Sequence, residues 1–294
     1  MKLYSYLKKK KGELFPNKNP FQDGPYGTKS EYLDIYNIAK SKEFNNVVLK
    51  CKELGFNIDK NYFDELALVT QVVKKESDIN YQHGILIYAL LRNYINKNQI
   101  KELYILETGT ARGYSSICMS KAIIDSSSKG TINTIDYLPS NKKMYWNCIK
   151  DFEGKHTRLE LLKDWEEELS NIKFLEGKSK KVLKNMDIDR IHFAFLDACH
   201  TKKDVLFEFK CVAAKQLTGD VVIFDDVTAS LFPGVVEAVK NIENENSYSI
   251  VYFDISKFRS IAIATKSNEK ILIIHSTYSK KVVKISQLRM RLSY

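Results

Sequence analysis

What the chain lacks narrows its nature first. No apolar stretch approaches the length needed to cross a bilayer, so no membrane span is expected. The first fifteen residues are basic but carry no apolar core or small-residue cleavage site, so a signal peptide is not expected and cytoplasmic residence is the default. Cysteine is sparse: Cys51, Cys118, Cys148, Cys199 and Cys211 are scattered, odd in number and contain no CxxC pair. That argues against a disulfide framework and against a zinc site, and the five read as buried thiols. There is no internal repeat and no long low-complexity segment.

What is present is the composition of an ordinary globular protein: 294 residues, 44% apolar and 28% charged. That length suits one large α/β domain with an appendage, or two small domains. The net charge of +10 would favour anionic partners such as nucleotide-linked substrates, nucleic acid or acidic lipid. Yet the lysines are spread out, apart from Lys8 to Lys11 and the tail around Lys280, Lys281, Arg289 and Arg291. No aromatic–glycine RNA-binding signature accompanies them. The charge is therefore read as a solvated surface, and no nucleic-acid partner is expected.

Residues 1–30 are punctuated by Pro16, Pro20, Gly24 and Pro25 and read as an irregular arm. Its aromatics (Phe15, Phe21, Tyr26 and nearby Tyr32) suit a lid over a substrate or a contact in a homo-oligomer equally well. Helical spacing follows over about 31–80 and from Gly84 to Ile95. The period then changes repeatedly. Strands are expected at 103–106, 131–135, 172–175, 191–196, 220–224, 249–253 and 260–264, and helices at 114–124, 140–152, 157–169 and 203–216. Alternation of this kind predicts a doubly wound α/β sheet of mostly parallel strands, with one antiparallel member at the edge. The expected organisation is an N-terminal arm and helical extension over 1–83, the α/β domain over 84–266, and a basic extension over 267–294 in which 271–274 could open a hairpin.

The most informative segment follows the first strand: Glu107, Thr108, Gly109, Thr110, Ala111, Arg112 and Gly113 lead into a helix. Glycine there lets the backbone turn sharply and approach a ligand closely, and the helix start offers free N–H groups. The spacing is not GxGxxG, so the dinucleotide fingerprint is not met. A glutamate at the strand end would repel a pyrophosphate and welcome an ammonium group. Asp136 ends the second strand, where an acid is suited to grip two ribose hydroxyls. Together these residues favour an adenosine ligand with a cationic amino-acid tail.

On these residues the chain resembles the class I S-adenosylmethionine-dependent methyltransferases, over roughly residues 84–265. The run from Glu107 to Ile117 looks like their motif I, and its Arg112-Gly113-Tyr114-Ser115 continuation is similar to sugar and macrolide O-methyltransferases. The resemblance implies a Rossmann-like, seven-stranded fold with an N-terminal helical extension, and S-adenosylmethionine as cofactor. It places Glu107, Gly109, Thr110, Gly113, Ser115 and Asp136 around that cofactor. Lys178 and Ser179, in a segment resembling the one that passes the adenine ring, join them, as does Asp197.

Asp197 ends the fourth strand, and Asp225 and Asp226 end the fifth. Carboxyl ends of adjacent strands converge in such sheets, and three carboxylates together call for a cation, most simply Mg²⁺. Catechol-type and macrolide-sugar O-methyltransferases bind a metal with acids at these places, so the resemblance implies Asp197, Asp225 and Asp226 as metal ligands. It also makes His200, three residues after Asp197, the candidate general base, with Asp225 competing for that role. Some sugar methyltransferases carry a histidine just after the acidic pair, where this chain has Val227 and Thr228. His192, Trp146 and Trp165 read as packed residues, and Cys199 lacks the partners of a nucleophile. The expected activity is methyl transfer to a hydroxyl of a small acceptor such as a sugar or glycoside. The alternatives are a metal-independent N- or O-methyltransferase, a nucleic-acid-modifying protein, or a catalytically silent module on the same fold. The Asn/Asp-Pro-Pro-Tyr type of motif that serves methylation of base amines is missing.

Overall fold

The computed structural model describes residues 24–75, 79–245, 247–267, 273–276 and 279–282. Phe15, Phe21, Arg289 and Arg291 therefore lie outside the described residues. The chain divides into two units, Met1–Asn185 and Met186–Tyr294.

Among its described residues, the first unit opens with three helices, α1 (Lys29–Ser41), α2 (Asn45–Glu53) and α3 (Lys60–Thr70). Thr28 caps α1 reciprocally: its hydroxyl accepts the Glu31 N–H and the Glu31 carboxylate accepts the Thr28 N–H. Then come α4 (Gln82–Asn98), β1 (Glu102–Thr108), α5 (Tyr114–Asp125), β2 (Lys129–Asp136), β3 (Ile172–Glu176) and α6 (Ser179–Asn185). β1, β2 and β3 run parallel, and Glu107, Thr134 and Phe174 lie side by side in register, so they share one face. α4 packs on α5 at Gly84, where a Cβ would come within 2.3 Å of the Tyr114 ring. Any larger residue there would force the two helices apart.

The helices expected over 140–152 and 157–169 are not continuous. Only single turns form, at Ile149–Glu153, Arg158–Leu161, Lys163–Trp165 and Glu166–Leu169. An antiparallel bridge joins Met144 to His156. The reason is that side chains satisfy this backbone. The Arg112 guanidinium donates to the Trp146 carbonyl, and the Trp146 and Cys148 N–H groups donate to Asp151. Asn147 takes a left-handed φ of 53°, which no helix interior allows. Pro139 also steers its predecessor away from helix. Trp146 and Trp165 are core residues, as expected.

The second unit holds β4 (Phe193–Leu196), α7 (Lys202–Ala213), β5 (Val221–Phe224), α8 (Pro233–Asn244), β6 (Tyr248–Ser256) and β7 (Arg259–Lys266), then a hairpin of β8 (Ile273–Ser276) and β9 (Ser279–Val282). β4 and β5 are parallel, while β7 is antiparallel to both β5 and β6. The strand order is β3-β2-β1-β4-β5-β7-β6, the mostly parallel Rossmann-like α/β class, with β6 lying outside the antiparallel β7. The sequence reading assigned no helix at α8. Its signal is nonetheless there: Pro233 at the first turn, then Val235, Ala238, Val239 and Ile242 buried at helical spacing. Among the described residues, no helix is long and apolar enough to cross a membrane.

Asn147 fastens the N-terminal helices to the irregular segment. Its side-chain oxygen accepts from Tyr32 Oη (2.8 Å) and Lys74 N (3.1 Å), and its amide donates to the Lys74 carbonyl (3.1 Å). Leaving such groups unpaired costs about 1–3 kcal/mol, so Asn147→Ala is expected to lower Tm by roughly 4–10 °C. A melting temperature unchanged within error in thermal unfolding would show that these helices are held by apolar packing alone.

Candidate functional site

In the first unit, the end of β1 turns into a loop held from below and from the side. Glu107 is fully buried and accepts hydroxyl hydrogen bonds from Ser115, Ser116 and Thr134, the last at 2.6 Å. Burial pushes its carboxyl pKa up, and the three hydroxyls pull it back. Glu107 and Ser115, expected to face a ligand, are thus directed at each other and fix the loop to β2 and α5. Thr110 joins them through a 2.5 Å contact between its Oγ1 and that of Thr134.

The loop itself needs unusual backbone. Gly109 and Gly113 both have a φ of 93°, and a Cβ at Gly113 would also strike Leu162 Cδ1 at 2.7 Å. Ala111 takes a φ of 47° without being glycine, a costly conformation for a residue with a Cβ. Its peptide is clasped on both sides. Ala111 N donates to Asp136 Oδ2 (2.6 Å), and its carbonyl accepts from Arg158 Nε (2.9 Å).

Asp136, at the end of β2, is half-buried and also accepts from Leu138 N at 2.8 Å. Burial raises its pKa, opposed by the Leu138 and Ala111 N–H groups and by the Arg158 charge. Arg158 is almost fully buried. Besides Ala111 it reaches Ser140 Oγ (2.7 Å) and the Leu138 carbonyl (3.3 Å), and its guanidinium lies over the Trp146 and Phe174 rings. The segment after β3 adjoins Asp136 because Gly177 N donates to the Asp136 carbonyl (2.7 Å). It carries Lys178, exposed, and Ser179, buried at the start of α6. Glu107, Gly109, Thr110, Gly113, Ser115 and Asp136 therefore form one hydrogen-bonded neighbourhood, with Lys178 and Ser179 beside it.

In the second unit, Asp197, His200 and Asp226 come together: one ligand atom from each lies within 4.8 Å of the others. His200 Nε2 is 3.1 Å from Asp226 Oδ2, and the imidazole stacks on Phe232 with ring centroids 4.4 Å apart. The start of α8 presses on the same loop. A Cβ on Gly234 would lie 2.5 Å from the His200 carbonyl oxygen, so only glycine permits the approach. Asp226 has a φ of 57°, a left-handed turn that carries its carboxylate to His200 rather than continuing the line of β5.

Asp225 departs from expectation. It is buried and ion-paired with Arg259, through Nε at 3.1 Å and a second short contact from the guanidinium to its other oxygen. Burial alone would lower the Arg259 pKa, but Asp225, then Asp226 and Asp197, hold it above its ordinary value. The group that could ligate a metal is thus Asp197, His200 and Asp226, in place of Asp197, Asp225 and Asp226. The Asp225 carboxylate is paired with Arg259. Two carboxylates and an imidazole at this separation have the donor chemistry of a divalent-cation site. No sequence signal pointed to Arg158, which sits where a helix was expected. Arg259 reads as the first residue of an ordinary strand.

Residues 106–227 match a family model described as a methyltransferase domain. No curated protein matches the chain by sequence. Among solved structures, a candidate caffeoyl-CoA O-methyltransferase from Staphylococcus aureus is 18% identical, with a TM-score of 0.51, covering 76% of this chain and 100% of its own. The O-methyltransferase NovP is 15% identical, with a TM-score of 0.51, covering 71% and 99%. At such identities the likeness establishes the fold.

If Arg158 and Asp136 together hold Ala111 in its strained turn, Arg158→Met should weaken S-adenosylhomocysteine binding by roughly tenfold in calorimetry, the worth of one charged hydrogen bond. Adding Ala111→Gly, which adopts that φ freely, should restore part of the loss. Affinity unaffected by Arg158→Met, or a loss that Ala111→Gly leaves untouched, would rule out this role.

Proposed function

We propose that the chain, whose residues 106–227 match a methyltransferase-domain model, is a class I enzyme that transfers the methyl group of S-adenosylmethionine to a hydroxyl of a small acceptor, with a divalent cation assisting. The acceptor is a sugar, glycoside or similar compound with vicinal hydroxyls. The observation that carries this reading is the convergence of Asp197, His200 and Asp226. The two structures of like fold named above are O-methyltransferases by name, which agrees with an oxygen acceptor.

Asp136 stands at the end of β2, where its carboxylate is suited to the two ribose hydroxyls. The loop from Gly109 to Gly113 offers backbone rather than bulk to the rest of the cofactor. A bound divalent cation would be held by Asp197, His200 and Asp226; it makes a hydroxyl more acidic and orients two neighbouring oxygens. In the transfer, the acceptor oxygen gives up its proton and forms a bond to the methyl carbon as the carbon–sulfur bond breaks. The products are a methyl ether and the neutral thioether S-adenosylhomocysteine. Orientation of the two reactants supplies much of the rate in such a displacement.

A second reading is favoured by Arg259. Because its guanidinium already offsets one of the three carboxylates, the cluster is less in need of a metal than its acids alone imply. Without one, His200 hydrogen-bonded to Asp226 is a base oriented by a carboxylate, and His200 takes the proton. Chelation separates the two readings. Methyl transfer from labelled S-adenosylmethionine to a panel of vicinal diols should fall at least roughly tenfold with chelator and recover with added metal. Activity indifferent to chelator but lost in His200→Gln selects the metal-free base. Asp136→Ala should weaken cofactor binding roughly 10- to 100-fold; unchanged affinity would remove Asp136 from the cofactor site.

A further inference from the structure

We infer that Arg112 is a positioning residue through which cofactor binding at the Gly109–Gly113 loop and docking of α1 strengthen each other. This rests on the reading of that loop as the S-adenosylmethionine site, and adds an N-terminal helix that responds to the cofactor.

Arg112 lies between Ala111 and Gly113, both at positive φ, so its backbone belongs to the strained turn while its side chain leaves it. The guanidinium is almost fully buried and donates to the Trp146 carbonyl through Nε (2.6 Å) and through a second, shorter contact from Nη2. That carbonyl and the Asn147 N–H share one rigid peptide plane. Holding the one therefore fixes the entry to Asn147, whose φ of 53° is left-handed. Asn147 in turn meets Tyr32 Oη (2.8 Å) and the Lys74 backbone with its side chain. Asp151 closes the same corner, accepting the Trp146 N–H at 2.8 Å while its charge and that of Arg112 favour each other. Beside it, the Phe152 ring meets the Tyr32 ring edge-on, with centroids 6.1 Å apart.

Tyr32 is the principal anchor of α1. Of the thirteen residues of this helix only Tyr32 and Ala39 are buried, and a helix of that length is marginal in water alone. Its links to later segments include Lys74 with Glu31 (2.7 Å), Lys40 with Asp64 (3.6 Å) and Lys60 with the Lys40 carbonyl (3.1 Å). All three run through exposed lysines, and such links contribute little. α1 is therefore an element with two states, docked by Tyr32 or released. Release leaves Asn147 without its Tyr32 donor and loosens the peptide that seats Arg112. The turn between Gly109 and Gly113 then loses one of its anchors. A cofactor that needs that turn in place binds the docked state better, and by linkage bound cofactor favours docking by the same factor.

The test is hydrogen–deuterium exchange on the full chain, free and saturated with S-adenosylhomocysteine, alongside calorimetric titration of the same ligand. Saturation is expected to slow exchange of the α1 amides by roughly fivefold or more, the lower end of ordinary coupling factors. In Asn147→Ala the ligand should still bind and still slow α5, which follows the loop, but leave α1 unchanged. Tyr32→Phe, which keeps the ring and removes only the hydroxyl, should shrink the α1 response and weaken ligand binding roughly two- to fivefold. Arg112→Met should abolish the α1 response, and Arg112→Lys, which returns a donor and a charge, should restore part of it. α1 exchange unmoved by bound ligand in the parent would overturn the inference and leave the cofactor reading standing. So would an α1 response in Asn147→Ala as large as the parent's. Should that variant not fold, Tyr32→Phe decides in its place, and a response and an affinity equal to the parent's would be fatal to the coupling. No binding of S-adenosylhomocysteine by the parent would sink the cofactor reading and the inference with it.

Discussion

Residues 138–148 form no regular element, so their backbone groups must find partners elsewhere, and buried side chains provide them. Arg112 serves the Trp146 carbonyl, Asp151 the N–H groups of Trp146 and Cys148, and Arg158 the Leu138 carbonyl. The first unit depends on this. An unpaired buried carbonyl or amide costs about 1–3 kcal/mol, so the segment can leave helical form only where such partners exist. Both arginines also belong to the candidate site: Arg112 lies within the loop, and Arg158 holds Ala111. Asn147, in the same segment, holds Tyr32 of α1 and Lys74 of the loop after α3. One stretch without secondary structure therefore ties the extension to the loop that defines the site.

The second unit is governed by charge. Three aspartates near one another are unfavourable unless compensated, and two forms of compensation are built in. Arg259 pairs with Asp225 inside the fold, where both groups are largely removed from water and neither can be lost without stranding the other. His200 is the more exposed of the other pair, with its Nε2 3.1 Å from the Asp226 carboxylate. The pairing separates two adjacent acids in space: Asp225 faces Arg259, and Asp226 faces His200.

Much of this was legible in the sequence, and what was not has physical causes. All seven strands of the sheet lie where the sequence has apolar runs of strand length. Asp136, Asp197 and Asp226 were singled out because strand ends are the places where such a sheet gathers ligands. The helices expected over 140–152 and 157–169 were misread because apolar spacing in that stretch reflects burial against the core, not a helical face. Tertiary hydrogen bonds from Arg112 and Asp151 overrode it. α8 carried a regular pattern that went unassigned. Asp225 could not be told from Asp226 by spacing. The difference lies in a left-handed φ and in a guanidinium more than thirty residues away along the chain, on a strand whose register only the folded sheet defines.

Two of the strained backbone positions mark the two candidate sites. Ala111 and Asp226 both adopt positive φ, at about 1–2 kcal/mol each for residues with a Cβ. Glycine would serve the backbone better at either place. At Ala111 the strain is held by Asp136 and Arg158, which are anchored by other contacts and do not need Ala111 to stay in position. At Asp226 a glycine would remove the carboxylate that meets His200, so the conformation and the side chain are required together. Aspartate is among the residues that tolerate this region best, since its short polar side chain can bond locally. Stability alone gives no reason to keep an acid there; the proposed role of the Asp197–His200–Asp226 group does.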